Sequence, residues 1–468
     1  VLKLIGLRIG PATNSSSSHS VIFWPEDTPL PAEVGGGGKY GGDNFTLTSR
    51  EEKQHYLDVQ KDKPHSNDDY IDSQSKWSWP INILTGQPDK EFIESFTKSM
   101  AENDRIIILG GHDNSEDHPL RNQNLEIALP RMIRWSGARI RREPWGWTLH
   151  EGNYVSAVMR LQDDTFTDAM NIWRSSAPEL VDLKITGKCD YACDYCYQDA
   201  TPDGKEASMN NITKIAEALR CAGVFEVAIG GGDPTTHSKL PDIITTFQDK
   251  GIVANVSVKR MEDATKDVRD VMKSGTLGVT VTNLEEITKA HNGDNRFYSW
   301  VAHIVMGAQS MKDFTEMMEY VGANYIRALL LGFKRTGRGS TFTPHDYTGW
   351  EMVVASAFSA AKDKHEDEGD YDLPMQPYMR YPMLAVDTYF AAEQQRILKS
   401  MGVPTYLYDT VEGNRSCYID AVTMRLGPCS FCPDDDMHPI TANAGLTNQI
   451  LSLFRKQKLM HPKMWVTR

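Results

Sequence analysis

Between residues 176 and 400 the chain repeats one pattern, an apolar stretch of strand length followed by an amphipathic helical stretch, and few architectures accommodate that alternation many times over. The strand candidates are 180–185, 224–229, 252–258, 277–282, 299–305 and 325–331. Of the helical stretches, the clearest puts Ile212, Ile215, Ala216 and Leu219 on one stripe, with Asn210 as its cap. The others are 240–248, 262–273, 284–290, 311–320 and 347–362. Units of this kind in series predict the α/β class: a parallel sheet curved into a full or partial (β/α)6 barrel with right-handed crossovers. Reactive groups then belong on the loops that follow the strands.

The loop after the first strand carries Cys189, Cys193 and Cys196 in a C-x3-C-x2-C spacing, with Tyr195 just before the last cysteine. Thiolates so close in sequence can meet on one soft metal centre. Three of them, rather than four, leave one metal position open. Asp190 and Asp194 inside the motif argue against an apolar core segment. A disulfide framework would call for an oxidising compartment and an even set of cysteines. Zinc, with a fourth ligand from elsewhere, is the competing reading. The second strand ends in Gly230, Gly231, Gly232, Asp233 and Pro234. Bare carbonyls at a strand end accept an ammonium group, and glycine lets a ligand approach the backbone.

The cysteine spacing, Tyr195, the preceding apolar run and the glycine element one β/α unit later together resemble the signature of the radical S-adenosylmethionine (radical SAM) enzymes. The resemblance implies a [4Fe–4S] cluster on Cys189, Cys193 and Cys196, its fourth iron chelated by the amino and carboxylate groups of S-adenosylmethionine. It implies that Gly231, Gly232, Asp233 and Pro234 stand for the family's Gly-Gly-Glu-Pro element, with the acid shortened to Asp, receiving the cofactor's α-amino group. By the same resemblance Ser257, Thr280, Thr282 and His303 hold the ribose hydroxyls and carboxylate, and Leu331 and Phe333 cover the adenine. Satisfied polar residues at sheet ends are the plainer reading of the first four. The implied chemistry is one-electron cleavage of the sulfonium to methionine and a 5′-deoxyadenosyl radical, which removes a hydrogen atom from the substrate. The electron would come from a flavodoxin- or ferredoxin-like donor, or from dithionite. No side-chain acid or base is assigned.

After the sixth strand, Lys334, Arg335 and Arg338 form a basic glycine-rich loop that could bind a carboxylate or phosphate; solvated loop charges are the alternative. Farther on, Cys417, Cys429 and Cys432 have the spacing C-x11-C-x2-C, strong for metal ligands. Segments 418–422 and 424–426 could pair as a hairpin that returns Cys429 toward Cys417. This region resembles the C-terminal extensions, of SPASM or Twitch type, that hold auxiliary iron–sulfur clusters. With three cysteines rather than seven, the resemblance implies one auxiliary [4Fe–4S] cluster, with an open iron or a fourth ligand such as His438 or Asp434. Zinc on Cys417, Cys429, Cys432 and His438 is the alternative.

The expected domains are an N-terminal α/β (or α+β) accessory domain over 1–175, the barrel over 176–400 and a small metal-cluster extension over 401–468. The first has strand character at 1–9, 21–24 and 105–109, helical character at 50–59 and 91–101, and a hairpin over 139–160 that could cap the next domain. Its Ser15–Ser18 run with His112, Asp113 and His118 reads as a substrate or phosphate pocket or as polar surface loop. An acidic link at 365–370 and a helix over 388–401 complete the pattern.

A formal net charge of −13 argues against general affinity for nucleic acid or anionic membrane. No run approaches the ~20 apolar residues of a membrane span, and the first residues lack a basic segment followed by an apolar one. The seven cysteines suit a reducing cytoplasm, with Cys221 expected in the core. The resemblance makes a ribosomally made precursor peptide the first substrate candidate. A small phosphorylated or nucleotide-like metabolite is the second. A non-catalytic metal-binding module is opposed by the intact cysteine triad and Gly-Gly-Asp-Pro.

Overall fold

The computed structural model describes residues 3–9, 18–23, 30, 32, 45–62, 80–111, 138–152, 156–162, 174–293, 300–324, 326–367, 384–403, 405–457 and 459. Ser15–Ser17, Trp24, His112, Asp113, His118 and residues 368–370 lie outside them. The chain divides into two compact units: Val1–Gly152 with Ser156–Ile172 and Pro374–Pro382, and Asn153–Val155 with Trp173–Leu373 and Met383–Arg468.

The first unit is α+β, the second of the two expected alternatives. Ile106–Gly111 is the middle strand of a sheet whose neighbours, Ser18–Phe23 and Phe45–Leu47, both run antiparallel to it. A second sheet joins Lys3–Ile9, Ser156–Gln162, Gly146–Gly152, Arg139–Glu143 and Ile81–Asn82 in that order. Helix Lys90–Glu102 starts where Asp89 accepts a hydrogen bond from the Phe92 N–H at 3.0 Å, and it buries Phe92 and Phe96.

In the second unit the order is β1 (Leu180–Thr186), α1 (Met209–Ala222), β2 (Glu226–Gly231), α2 (Leu240–Gln248), β3 (Val253–Val258), α3 (Lys266–Val271), β4 (Leu277–Thr280), α4 (Leu284–Asn292), β5 (Trp300–Val305), α5 (Met311–Ala323) and β6 (Ala328–Leu331). It continues with α6 (Trp350–Asp367), β7 (Leu384–Val386), α7 (Thr388–Glu393), α8 (Gln395–Ser400), β8 (Ser416–Asp420), β9 (Arg425–Gly427), β10 (His438–Pro439) and α9 (Leu446–Lys456). The sheet order is β7-β6-β5-β4-β3-β2-β1-β8-β9-β10, parallel from β7 to β8 and antiparallel beyond. The result is a partial (β/α) barrel. Val181, Leu183, Val227, Ile229, Ala254 and Val256 pack on one face against helix residues such as Ile215, Leu219 and Ile243. The alternate positions, which face the inside, include the polar Asp182, Lys184, Asn255, Ser257, Thr280, His303 and Tyr418.

Several expectations need correcting. Two parallel strands were not foreseen, β7 at one edge and β8 beside β1. β8 hydrogen-bonds directly to β1. Ser208, not Asn210, caps α1, its hydroxyl accepting from the Asn211 N–H at 3.2 Å. The stretch 262–273 holds only a 3-10 turn and the short α3, and 388–401 breaks into two helices at Gln394. Helix α6 begins after Gly349, whose φ of +86° cannot be helical. Cys221 is exposed, since the apolar stripe of α1 continues through Ala218 and Ala222 and leaves Cys221 beside it.

Candidate functional site

The cysteine loop follows β1 and is tied shut at its stem: the Cys189 N–H donates to Thr201 O at 3.0 Å and the Gly187 N–H to Lys205 O at 2.8 Å. Ala192 and Asp199, at φ +47° and +49°, hold left-handed backbone that non-glycine residues rarely adopt. Cys189, Cys193 and Cys196 are all partly buried. Burial, then the neighbouring Asp233, Cys193 and Cys196, push the Cys189 thiol up despite a backbone hydrogen bond from Tyr191. Among the described residues, no three His, Cys, Asp or Glu side chains gather as for a single metal ion. The loop carries three soft donors, and the irons of a polynuclear cluster take one thiolate each. The donor set fits.

The element after β2 braces this loop from below. The Gly232 N–H donates to Thr186 O at 2.7 Å and the Asp233 N–H to Lys188 O at 2.8 Å. A methyl group on Gly232 would lie 2.1 Å from Lys188 O, and one on Gly231, at φ +122°, 2.3 Å from Thr186 O. These two glycines therefore serve contact with the chain's own loop, while Gly230 faces open space. Asp233 is buried; its Oδ1 accepts from the Thr235 N–H and hydroxyl, and its Oδ2 has no partner among the described residues. Burial raises its carboxyl. Pro234 opens a short 3-10 turn.

The loop after β6 braces it from the other side. The Arg338 Nε donates to Cys193 O at 2.9 Å, and its Nη1 to Asp199 Oδ1 and Ala200 O at 3.0 and 2.9 Å. Gly339 N–H reaches Cys196 O, and the Thr336 hydroxyl reaches Tyr197 O at 3.2 Å. Lys334 pairs with Asp387 at 2.7 Å, its ammonium 5.4 to 5.7 Å from the ring centres of Phe431, Tyr197 and Tyr389. Lys334 and Arg338, read from sequence as substrate contacts, thus have their charges taken up by protein groups. Arg335 lies over the Phe333 ring.

Of the other expected cofactor contacts, Thr280 and His303 are register partners on the inside face, and Ser257 lies beside them on β3. The ring of His303 lies against Gly278, where an added methyl would come within 2.1 Å of it. Thr282 is engaged by Glu286, which accepts from its N–H at 2.8 Å and its hydroxyl at 3.0 Å. Leu331 ends β6 on the inside face. Phe333 stacks on Phe342 at 5.6 Å, and Phe342 meets Tyr195 edge-on at 6.2 Å. Tyr195 keeps a buried hydroxyl that has no partner among the described residues. A cavity of ≈ 260 Å³ opens at the ends of β3 and β4, lined by Lys259, Arg260, Thr280, Asn283 and Glu286 among others.

The C-terminal cysteines do not all face one way. Cys429 and Cys432 pack together beside Tyr389, Phe431 and Tyr197. Cys417, in register with Val181, points instead into the packed layer between sheet and helices. His438 is exposed and Asp434 pairs with Arg425 at 3.0 Å. The pair lies close to the first cysteine loop, since the Ser430 hydroxyl donates to Tyr197 Oη at 3.2 Å.

Sequence reasoning missed the carboxylates gathered about Lys334. Burial, then Asp387, raises Glu412 to about 8 and Glu393 to about 7, and burial raises Asp182 to about 6. Alternation of Asp182, Lys184 and Thr186 along an otherwise apolar strand was the available signal. Folded protein holds these protons above the pH at which an unfolded carboxylate, of pKa about 4.3, has lost them. The associated stability is therefore complete near pH 4 and declines as pH rises through about 6 to 8. His303, lowered by burial to about 4, acts in the opposite sense, but only below about 6.5 where an unfolded imidazole takes up a proton. Metal-free protein is expected to melt lower at pH 9 than at pH 7, and Glu412→Gln should remove most of that difference in thermal scans. An undiminished difference would contradict the assignment.

Curved parallel strands, a three-thiol loop after the first of them and a glycine brace after the second define a cluster-binding barrel. Residues 183–261 match the family model described as Radical SAM superfamily. That match implies a [4Fe–4S] cluster and S-adenosylmethionine as cofactors. The chain is 26% identical to GTP 3′,8-cyclase of Yersinia pestis over 125 residues, 25% of this chain and 38% of that protein. It is 32% identical to PqqA peptide cyclase of Bradyrhizobium diazoefficiens over 81 residues, 17% of this chain and 21% of that protein. The chain thus spans 38% or less of the length of these relatives. Streptococcus suis SuiB bound to its precursor peptide SuiA superposes with a TM-score of 0.42 at 13% identity, covering 64% of this chain and 70% of that one. No described helix is long and apolar enough to cross a membrane.

Proposed function

We propose that the chain is a radical SAM enzyme that modifies a ribosomally made peptide. Cys189, Cys193 and Cys196 would hold the cluster, and the strand ends from β2 to β6 would receive S-adenosylmethionine. When bound, these groups supply one-electron cleavage of the sulfonium and abstraction of a substrate hydrogen atom. The protein's share is to brace the cysteine loop through Gly231, Gly232 and Arg338, and to keep water from the barrel mouth with Phe333, Phe342 and Tyr389. Cys429 and Cys432 would ligate a second metal group near that mouth.

One observation carries the choice of substrate. Binding a phosphorylated metabolite calls for several cationic side chains, but on the β6 loop Lys334 is held by Asp387 and three of the Arg338 hydrogen bonds go to Cys193 O, Asp199 and Ala200 O, which leaves Arg335 as the exposed cation. Around Lys334 the carboxyls of Asp182, Glu393 and Glu412 are raised by burial, which adds no cationic partner for a phosphate. The name PqqA peptide cyclase supports the peptide reading; the name GTP 3′,8-cyclase supports the alternative of a nucleotide-like metabolite. The experiment is isotope transfer. Deuterium from a deuterated precursor peptide should appear in 5′-deoxyadenosine; transfer only from a deuterated nucleotide would overturn the peptide assignment.

A further inference from the structure

Arg338 lies 145 residues from the cysteine whose carbonyl it binds, and its guanidinium is nearly used up by the cysteine loop: Nε on Cys193 O at 2.9 Å, Nη1 on Asp199 Oδ1 at 3.0 Å and on Ala200 O at 2.9 Å. The remaining nitrogen, Nη2, is buried and has no hydrogen-bond partner among the described residues. A buried donor left unmade is costly, and more so on a charged group. The guanidinium is a rigid planar fork, so Nη2 stays within a bond or two of the nitrogens already fixed on the loop. Gly337 and Gly339 let the β6 loop come this close: a methyl on Gly337 would lie 2.7 Å from Tyr197 O and 2.8 Å from Cys196 O.

We propose that Arg338 is a positioning residue that gives its Nη2 hydrogen bond and its charge to the sulfur-ligated group on Cys189, Cys193 and Cys196. The inference rests on the cluster-binding reading above and adds a role for this side chain. Hydrogen bonds to cluster or thiolate sulfur, and a nearby positive charge, favour the more reduced, more negative state of an iron–sulfur centre. Arg338 therefore raises the reduction potential of the centre and eases its reduction by a flavodoxin-like donor. With Thr336 and Gly339, its other contacts fix the shape of the cysteine loop.

The test is a redox titration of anaerobically reconstituted full-length protein, followed by electron paramagnetic resonance without substrate or S-adenosylmethionine. Wild type, Arg338→Gln, Arg338→Lys and the exposed-charge control Lys312→Gln are compared at equal iron content. Arg338→Gln is expected to show at least a tenfold smaller reduced-to-oxidised ratio at a fixed applied potential, a midpoint lower by about 59 mV. Arg338→Lys, which keeps the charge and loses the fork, should fall between it and wild type, and Lys312→Gln should match wild type. If Arg338→Gln fails to fold or to take up iron, Arg338→Lys decides by the same titration. A loaded variant with the wild-type midpoint overturns the assignment of Arg338 alone. A wild-type chain that takes up no iron–sulfur cluster contradicts the cluster reading itself.

Discussion

Cys196→Ala is expected to abolish 5′-deoxyadenosine formation and to leave the chain folded. Cys196 is partly exposed at the mouth of the barrel, so its sulfur contributes little to the core. What is lost is one of three thiolates on a single loop, and with two the cluster's irons cannot all be held. The variant should melt within about 1 kcal/mol of wild type when both are metal-free. It should hold little iron after anaerobic reconstitution, and product should fall below detection. Undiminished iron at Cys196→Ala would mean that other residues hold the metal.

Gly232→Ala should do comparable damage by a different route. The added methyl would stand 2.1 Å from the Lys188 carbonyl oxygen, a backbone atom that cannot swing aside. Relief requires the β2 loop and the cysteine loop to separate, which strains the 2.7 Å bond from Gly232 N–H to Thr186 O and the 2.8 Å bond from Asp233 N–H to Lys188 O. Overpacking of this kind costs about 3 kcal/mol at the upper end of its usual range. Chemical denaturation should show that loss, with reduced iron uptake at temperatures where the variant is still folded. Gly230→Ala is the natural comparison, since nothing lies within 4 Å of the position its methyl would take. Equal stability of the two variants would contradict the brace.

The parts legible in the sequence were those whose signal is local. Strands β1 to β6 announce themselves by apolar runs at regular spacing, and the cysteine loop and Gly230–Gly232 by residues adjacent in the chain. Strand β7 escaped because Leu384–Val386 is only three residues long. Strand β8 escaped because Ser-Cys-Tyr-Ile-Asp was read for its cysteine and for a hairpin with β9; the hairpin is there, but the partner on the other edge is β1, more than two hundred residues earlier. Arg338 and Lys334 illustrate the same limit. Their sequence neighbourhood says basic loop, whereas their partners, Cys193 and Asp387, lie 145 and 53 residues away. Spacing also cannot say which way a strand residue points. Cys417 alternates with Tyr418 and so turns from the side where Cys429 and Cys432 meet.

The central claim is that three thiols after β1 carry a cluster that drives S-adenosylmethionine cleavage. Its most direct test is chromatographic measurement of 5′-deoxyadenosine from anaerobically reconstituted wild-type protein given dithionite and S-adenosylmethionine. The account predicts turnover that depends on the reductant and disappears in Cys189→Ala, Cys193→Ala and Cys196→Ala alike. A fully iron-loaded wild-type protein that forms no 5′-deoxyadenosine, or whose product survives loss of those cysteines, would contradict it.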